Sequence, residues 1–304
     1  MPSTSSIPHH HNLVLRGLLI LAVAIGSGCQ VEDSAPSRPV ILACTTSLQD
    51  SGLLDRLLAD LDCNGWPQAG RKAALAAIRR AWAPHICGDQ HLAVVVKHGV
   101  SQPSDGPYSF TTPAIVNTIY GRWWQPQPQR AGANPLPGSP LPWTGEFLDG
   151  LGNRIRMLAY ANPADRTDEL KRADGYGVVR FNKTKRTVTF ECWPRFADVR
   201  EGDKAQFPGW PLSFSMKDND GRIPSGWLPE LHFPAVDSAV VQVVDEKTGE
   251  ILYTVRTASN RFRPPVYSPG PFSLKVGTDR PIVYRAKSLR PAPKDDQTKM
   301  TIRF

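Results

Sequence analysis

The chain has 304 residues, with 36 Lys and Arg against 28 Asp and Glu, for a formal net charge of +8. A hydrophobic share of 40% is enough to fill a core, which excludes a wholly disordered chain and leaves room for one large or two modest domains. The basic residues are dispersed rather than gathered in a stripe, so the excess suits anionic ligands or an anionic envelope surface and not a nucleic acid.

Arg16 precedes a short apolar run, Gly17 to Ile25, and then the small residues Gly26, Ser27 and Gly28. The run is shorter than the ~20 residues of a membrane span, and the small residues suit a signal peptidase, so residues 1–28 read as an export signal. Cys29 follows them directly, as the acceptor Cys of a lipoprotein does, although Gly26 stands where a Leu is usual; an ordinary cleaved signal is the alternative. The expected location is periplasmic or envelope-anchored, with residues 29–38 as a tether and a lipid anchor as the membrane contact. Loss of residues 1–28 removes one charge, Arg16, and takes +8 to +7.

An apolar strand from Val40 to Ala43 then opens into Thr45, Thr46 and Ser47 before a helical stretch from Leu53 to Leu61. Hydroxyls beside a helix N-terminus can donate to an oxyanion, or can simply cap the helix. Residues 39–58 resemble the mature N-terminus of tungstate-binding proteins of ABC importers, where a lipoprotein signal and short tether come before such a run. That resemblance implies tungstate or molybdate binding at Thr45, Thr46 and Ser47.

Lys72 to Ala81 predicts a helix, and Gly88, Asp89 and His91 follow the short apolar run that begins at His85. Gly permits a tight turn at a strand end, and Asp and His two apart project to one side of an extended segment. Such a pair suits a divalent metal: Zn, Mn, Fe or Ca, with the mixed carboxylate and imidazole favouring the first three. A capping Asp in a polar turn is the bland alternative. His85, His98 and Asn117 are accessory candidates, although His98 reads first as a surface-turn histidine and Asn117 equally as a turn cap at the end of an Ala114 to Val116 strand.

From about Ala59 to Phe304 the chain resembles the C-terminal half of alkaline phosphatase D-like (PhoD-like) metallophosphoesterases. The likeness rests on Asn64 to Arg71, His85 to Ala93, Asp105 to Phe110, Pro142 to Gly145, Tyr160 to Pro163, Gly175 to Asn182 and Glu191 to Pro194. It implies a hydrolase of phosphomonoesters or phosphodiesters, with Asp89 and His91 as metal ligands and catalytic residues. Most ligands of that family lie upstream, including an Asn-His-Asp element, and none is found within these 304 residues. An incomplete metal site, and a chain inactive by itself, are therefore expected. The meeting of two resemblances near Leu57 to Asp62 reads as a fusion or truncated product; a chance match at residues 39–58 is the alternative, and a non-catalytic envelope module is a third reading.

Gln125 to Pro142, rich in Pro, Gln and Gly, predicts an extended surface connection. Trp123 and Trp124 beside Arg122 could stack a base or sugar, or pack a core. Two alternating runs around Asn182 to Lys185 predict a β-hairpin, and Ala239 to Val244 with Ile251 to Arg256 predict another. Strands are expected at Phe272 to Val276, Pro281 to Arg285 and Met300 to Phe304. Cys44, Cys63, Cys87 and Cys192 have no zinc-finger spacing, and Cys44 and Cys87 read as buried thiols. The expected fold class is α+β: a partial metallophosphoesterase-type β-sandwich flanked by helices at 39–233, then a small antiparallel β-sandwich at 234–304.

Overall fold

The computed structural model describes residues 40–41, 68–88, 91–115, 123–125, 136–149, 152–165 and 167–304. Among the described residues the fold is a sheet-rich α+β arrangement with five separate sheets. In chain order the first elements are β1 (Val40–Ile41), α1 (Gln68–Arg80), β2 (His85–Cys87), β3 (Val94–His98), β4 (Tyr108–Thr111), β5 (Gly145–Leu148), β6 (Arg154–Tyr160), β7 (Gly175–Asn182), β8 (Thr187–Pro194) and β9 (Leu212–Ser215). Among the described residues α1 is the single α-helix, fewer than the flanking helices expected, and three short 3-10 turns accompany it.

The α1 helix forms because its interior is rich in Ala and Leu, and Arg79 and Arg80 in its last turn complement the helix dipole. Trp82, at φ 50°, turns the chain out of it. Arg71 and Leu75, four apart and so on one face, are both about 1% exposed.

Strands β2 to β6 make a five-stranded sheet in the order β2-β4-β3-β6-β5, with β2 and β4 parallel and the other pairs antiparallel. The run Val94 to Val96 is apolar throughout because β3 lies at the centre and is covered on both faces. Ala93 and Val95 enter a cluster with Phe110, Val179, Val188, Phe190 and Phe214, while Val94 and Val96 face Trp124, Phe147, Ile155 and Met157. The first cluster joins this sheet to a second one, β1-β7-β8-β9, which is antiparallel. The two sheets approach so closely that a Cβ at Gly177 would stand 2.5 Å from Cγ2 of Thr112. Trp124 is a core residue, set edge-on to Phe147 at 5.3 Å.

The remaining strands are β10 (Gly226–Trp227), β11 (Glu230–His232), β12 (Val240–Asp245), β13 (Ile251–Arg256), β14 (Arg261–Phe262), β15 (Pro265–Val266), β16 (Phe272–Gly277), β17 (Tyr284–Leu289) and β18 (Lys299–Thr301). A four-stranded antiparallel sheet, β13-β12-β16-β17, turns Val241, Val243, Tyr253, Leu274 and Val276 onto a core shared with Leu231 and Ile302. The arrangement is not wholly antiparallel, because β18 joins β11 in parallel. β17 begins at Tyr284 rather than at Pro281: Pro281 has no N–H to give, and Ile282 N–H turns back onto Arg280 O at 2.9 Å. The hairpins β7-β8 and β12-β13 form as their alternation predicts.

Candidate functional site

Gly88 follows the C-terminal end of β2, and His91 stands at φ 55° in the left-handed region before β3 begins. A non-Gly residue there is uncommon, and His is among those that tolerate it. His91 is partly buried. Asp89, Asn117 and the hydroxyl trio Thr45, Thr46 and Ser47 lie outside the described residues, as do Cys29, Cys44 and Cys63.

The register shows where the accessory histidines go. On β4, Thr111 pairs with Cys87 and with Val94, so the ends of β2 and β3 nearest the Gly88 to His91 turn meet there. Ser109 pairs with His85 and with Val96, one step further from the turn. His98 lies further still, about 13 Å along the strand from Val94 at ~3.3 Å per residue. His85 and His98 are brought to one another, with ring centroids 6.4 Å apart, and not to the turn.

Both rings are held by protein groups. His85 Nδ1 lies 2.8 Å from Ser109 Oγ, and Cys87 Sγ lies 3.1 Å from Thr111 Oγ1 in the same row. Cys87 is half-buried and Cys192 fully buried, so the expected burial of Cys87 is only partial. His98, read from sequence as a surface-turn residue, is instead 4% exposed. The Pro107 carbonyl accepts its backbone N–H at 3.1 Å, and the α1 residue Arg71 covers its ring. Arg71 Nη2 donates to His98 Nδ1 at 3.4 Å and to Arg154 O at 3.1 Å, and Nη1 donates to Gly99 O. Because guanidinium can only donate, His98 Nδ1 is the acceptor and the proton of the neutral ring sits on Nε2. Asp149 stands near this cation and accepts from Asn153 N and Nδ2, each at 2.8 Å.

Burial sets the charge state of this cluster. Burial pushes His85 down to about 4, and burial, then Arg71, then His85 hold His98 well below the usual histidine range. A histidine kept neutral in the fold binds fewer protons than its unfolded counterpart between the two pKa values, so stability is lost as pH falls from about 6.5 towards about 4. His85→Asn retains an amide for Ser109 and removes one titrating group. It is expected to make the fall in urea midpoint between pH 6.5 and pH 4.5 shallower than in the unaltered chain; an identical fall would show that His85 is not held neutral.

Among the described residues, no group of three or more His, Cys, Asp and Glu gathers as metal ligands would. His98 does not fit as a ligand, since its Nδ1 is engaged and a guanidinium stands beside it. Comparison with family models, with curated proteins and with solved structures gives no match. What the arrangement offers chemically is therefore read from its own residues: Gly88 and His91 at one end of β2 and β3, and at the other end a sealed polar cluster that ties α1 to the sheet. Sequence reasoning missed Arg71. Its signal was an Arg on the same helical face as Leu75, but its partners lie 27 to 83 residues away.

Proposed function

We propose that the chain is an exported relative of PhoD-like metallophosphoesterases that keeps the Gly88-Asp89-His91 turn but does not hydrolyse phosphate esters by itself. The observation that supports this reading is the position of Gly88 just past the C-terminal end of β2, beside the central strands of a sheet, with His91 in a left-handed conformation that a bulkier β-branched residue would resist. A divalent metal pair, when bound, supplies positive charge and a water of lowered pKa for attack on phosphorus. Gly88 permits the turn, and Asp89 and His91 are the residues that would hold one side of such a centre. Without the upstream Asn-His-Asp ligands, positioning of both ions fails and the rate falls to background rather than to a fraction. Cys29 makes envelope anchoring part of the same proposal.

The test is hydrolysis of a chromogenic phosphodiester by residues 30–304 loaded with Zn, Mn or Fe. No turnover above a metal-only control is expected. Turnover that disappears in Asp89→Asn would overturn the proposal.

A further inference from the structure

The antiparallel hairpin β16-β17 carries two cations on its outer face with no acid between them. Leu274 and Val276 are fully buried in the core, so Lys275 between them points the other way. The register sets Lys275 directly opposite Arg285, which is exposed. Like charges in that relation repel, and neither side chain has an ion pair or hydrogen bond among the described residues. The acids around them are engaged elsewhere. Asp279 pairs with Arg256 at 3.3 Å, and Glu246 accepts from Ser273 Oγ and from Ser288 N–H, with Lys287 and Arg290 near it. The opposed pair costs the fold some stability and returns none, which suits a partner that is itself anionic.

The loop joining the two strands supplies a second character. It closes tightly at Gly277, where Arg280 O fills the space that a Cβ would take, and Val283 N–H returns to Val276 O at 3.0 Å. The loop is thus held against its strand ends, and its apolar residues stand outside the core. Ile282 is 64% exposed and Val283, next to it, 58%, with the exposed Arg280 just before them. A soluble polyanion would use the cations and leave this apolar pair in water. A bilayer of anionic lipid takes both, since headgroup phosphates meet the cations and the apolar pair enters the boundary of the acyl chains. Lys275 lies two residues, or ~7 Å, along the strand from Gly277, so the cations reach the headgroup layer when the tip is inserted.

We infer that the tip of the β16-β17 hairpin docks on an anionic lipid surface. Ile282 and Val283 enter the bilayer boundary, and Lys275, Arg280 and Arg285 lie against headgroup phosphates. The contact rests on neither Cys29 nor the Gly88 to His91 turn, and it turns the C-terminal sheet towards the membrane.

Residues 30–304 keep every described element and lack the proposed anchor at Cys29, so their sedimentation with vesicles reads this contact alone. The vesicles are an equal mixture of phosphatidylglycerol and phosphatidylcholine, and phosphatidylcholine by itself. Binding to the anionic vesicles is expected, with the neutral ones weaker by at least about tenfold. Lys275→Gln with Arg285→Gln is expected to lose about thirtyfold on the anionic vesicles, and Ile282→Ser with Val283→Ser at least about tenfold, each at an unchanged circular dichroism spectrum. Absence of binding, or equal binding to neutral vesicles, would overturn the inference. Undiminished binding by either double variant would overturn it as well, and in the apolar variant would make the face a site for soluble polyanions.

Discussion

Arg71→Met is expected to lower the unfolding free energy by about 3 kcal/mol, measured by urea denaturation at pH 7.5. The side chain is buried to 1% exposure and donates to Gly99 O, Arg154 O and His98 Nδ1. Methionine fills much of the same volume but leaves Gly99 O and His98 Nδ1 without a donor, at about 1–3 kcal/mol each, while Arg154 O keeps the Gly99 N–H. Relief of a desolvated charge offsets part of this, since burial already holds the guanidinium below its usual pKa range. The acceptors win because they cannot move: Gly99 and Arg154 are tied to each other by a backbone bond of 2.9 Å. Arg71→Lys reaches one acceptor at best and is expected to fall between the two. Removing the cation also eases protonation of His98, so the acid loss of stability becomes shallower in the same variant. Unchanged stability would mean that α1 is held by Leu75 and its apolar neighbours alone.

Phe110→Ala is expected to cost about 4 kcal/mol, as deletion of a large ring from a close-packed core does. Phe110 is fully buried, stacks on Phe190 at 5.0 Å and faces Trp210 at 6.4 Å. It stands where the two sheets meet, and the backbone at Gly177 comes close enough to hold its ring in place. Collapse into the space is opposed because both walls are sheets rather than loops. Denaturant unfolding with near-ultraviolet circular dichroism reads the loss; a cost below about 1 kcal/mol would show that the sheets close over the gap.

Local pattern made much of this architecture legible. The hairpins β7-β8 and β12-β13 announce themselves by alternation around polar turns, because in each the paired strands are adjacent in sequence. Where partners are remote, pattern fails. His98 precedes a Gly and looks like a turn residue, yet it is buried by a helix residue 27 positions earlier. Ala114 and Ile115 are apolar but form no strand, since β4 ends at Thr111 and Pro113 offers no N–H to continue it. The parallel joining of β18 to β11 links residues about seventy positions apart and leaves no local trace.

The candidate site was legible only in part. His91 falls between two strand ends at the positive φ that its residue type tolerates. His85 was grouped with them by proximity in sequence, and the register of β2 on β4 directs it instead towards Ser109 and His98.

Equilibrium dialysis of residues 30–304 against zinc or manganese, with bound metal counted by mass spectrometry, addresses the proposed half-built centre directly. A centre with ligands on one side only predicts at most one weakly held ion per chain, lost in both Asp89→Asn and His91→Gln. Two tightly held ions per chain, retained through gel filtration, would contradict it.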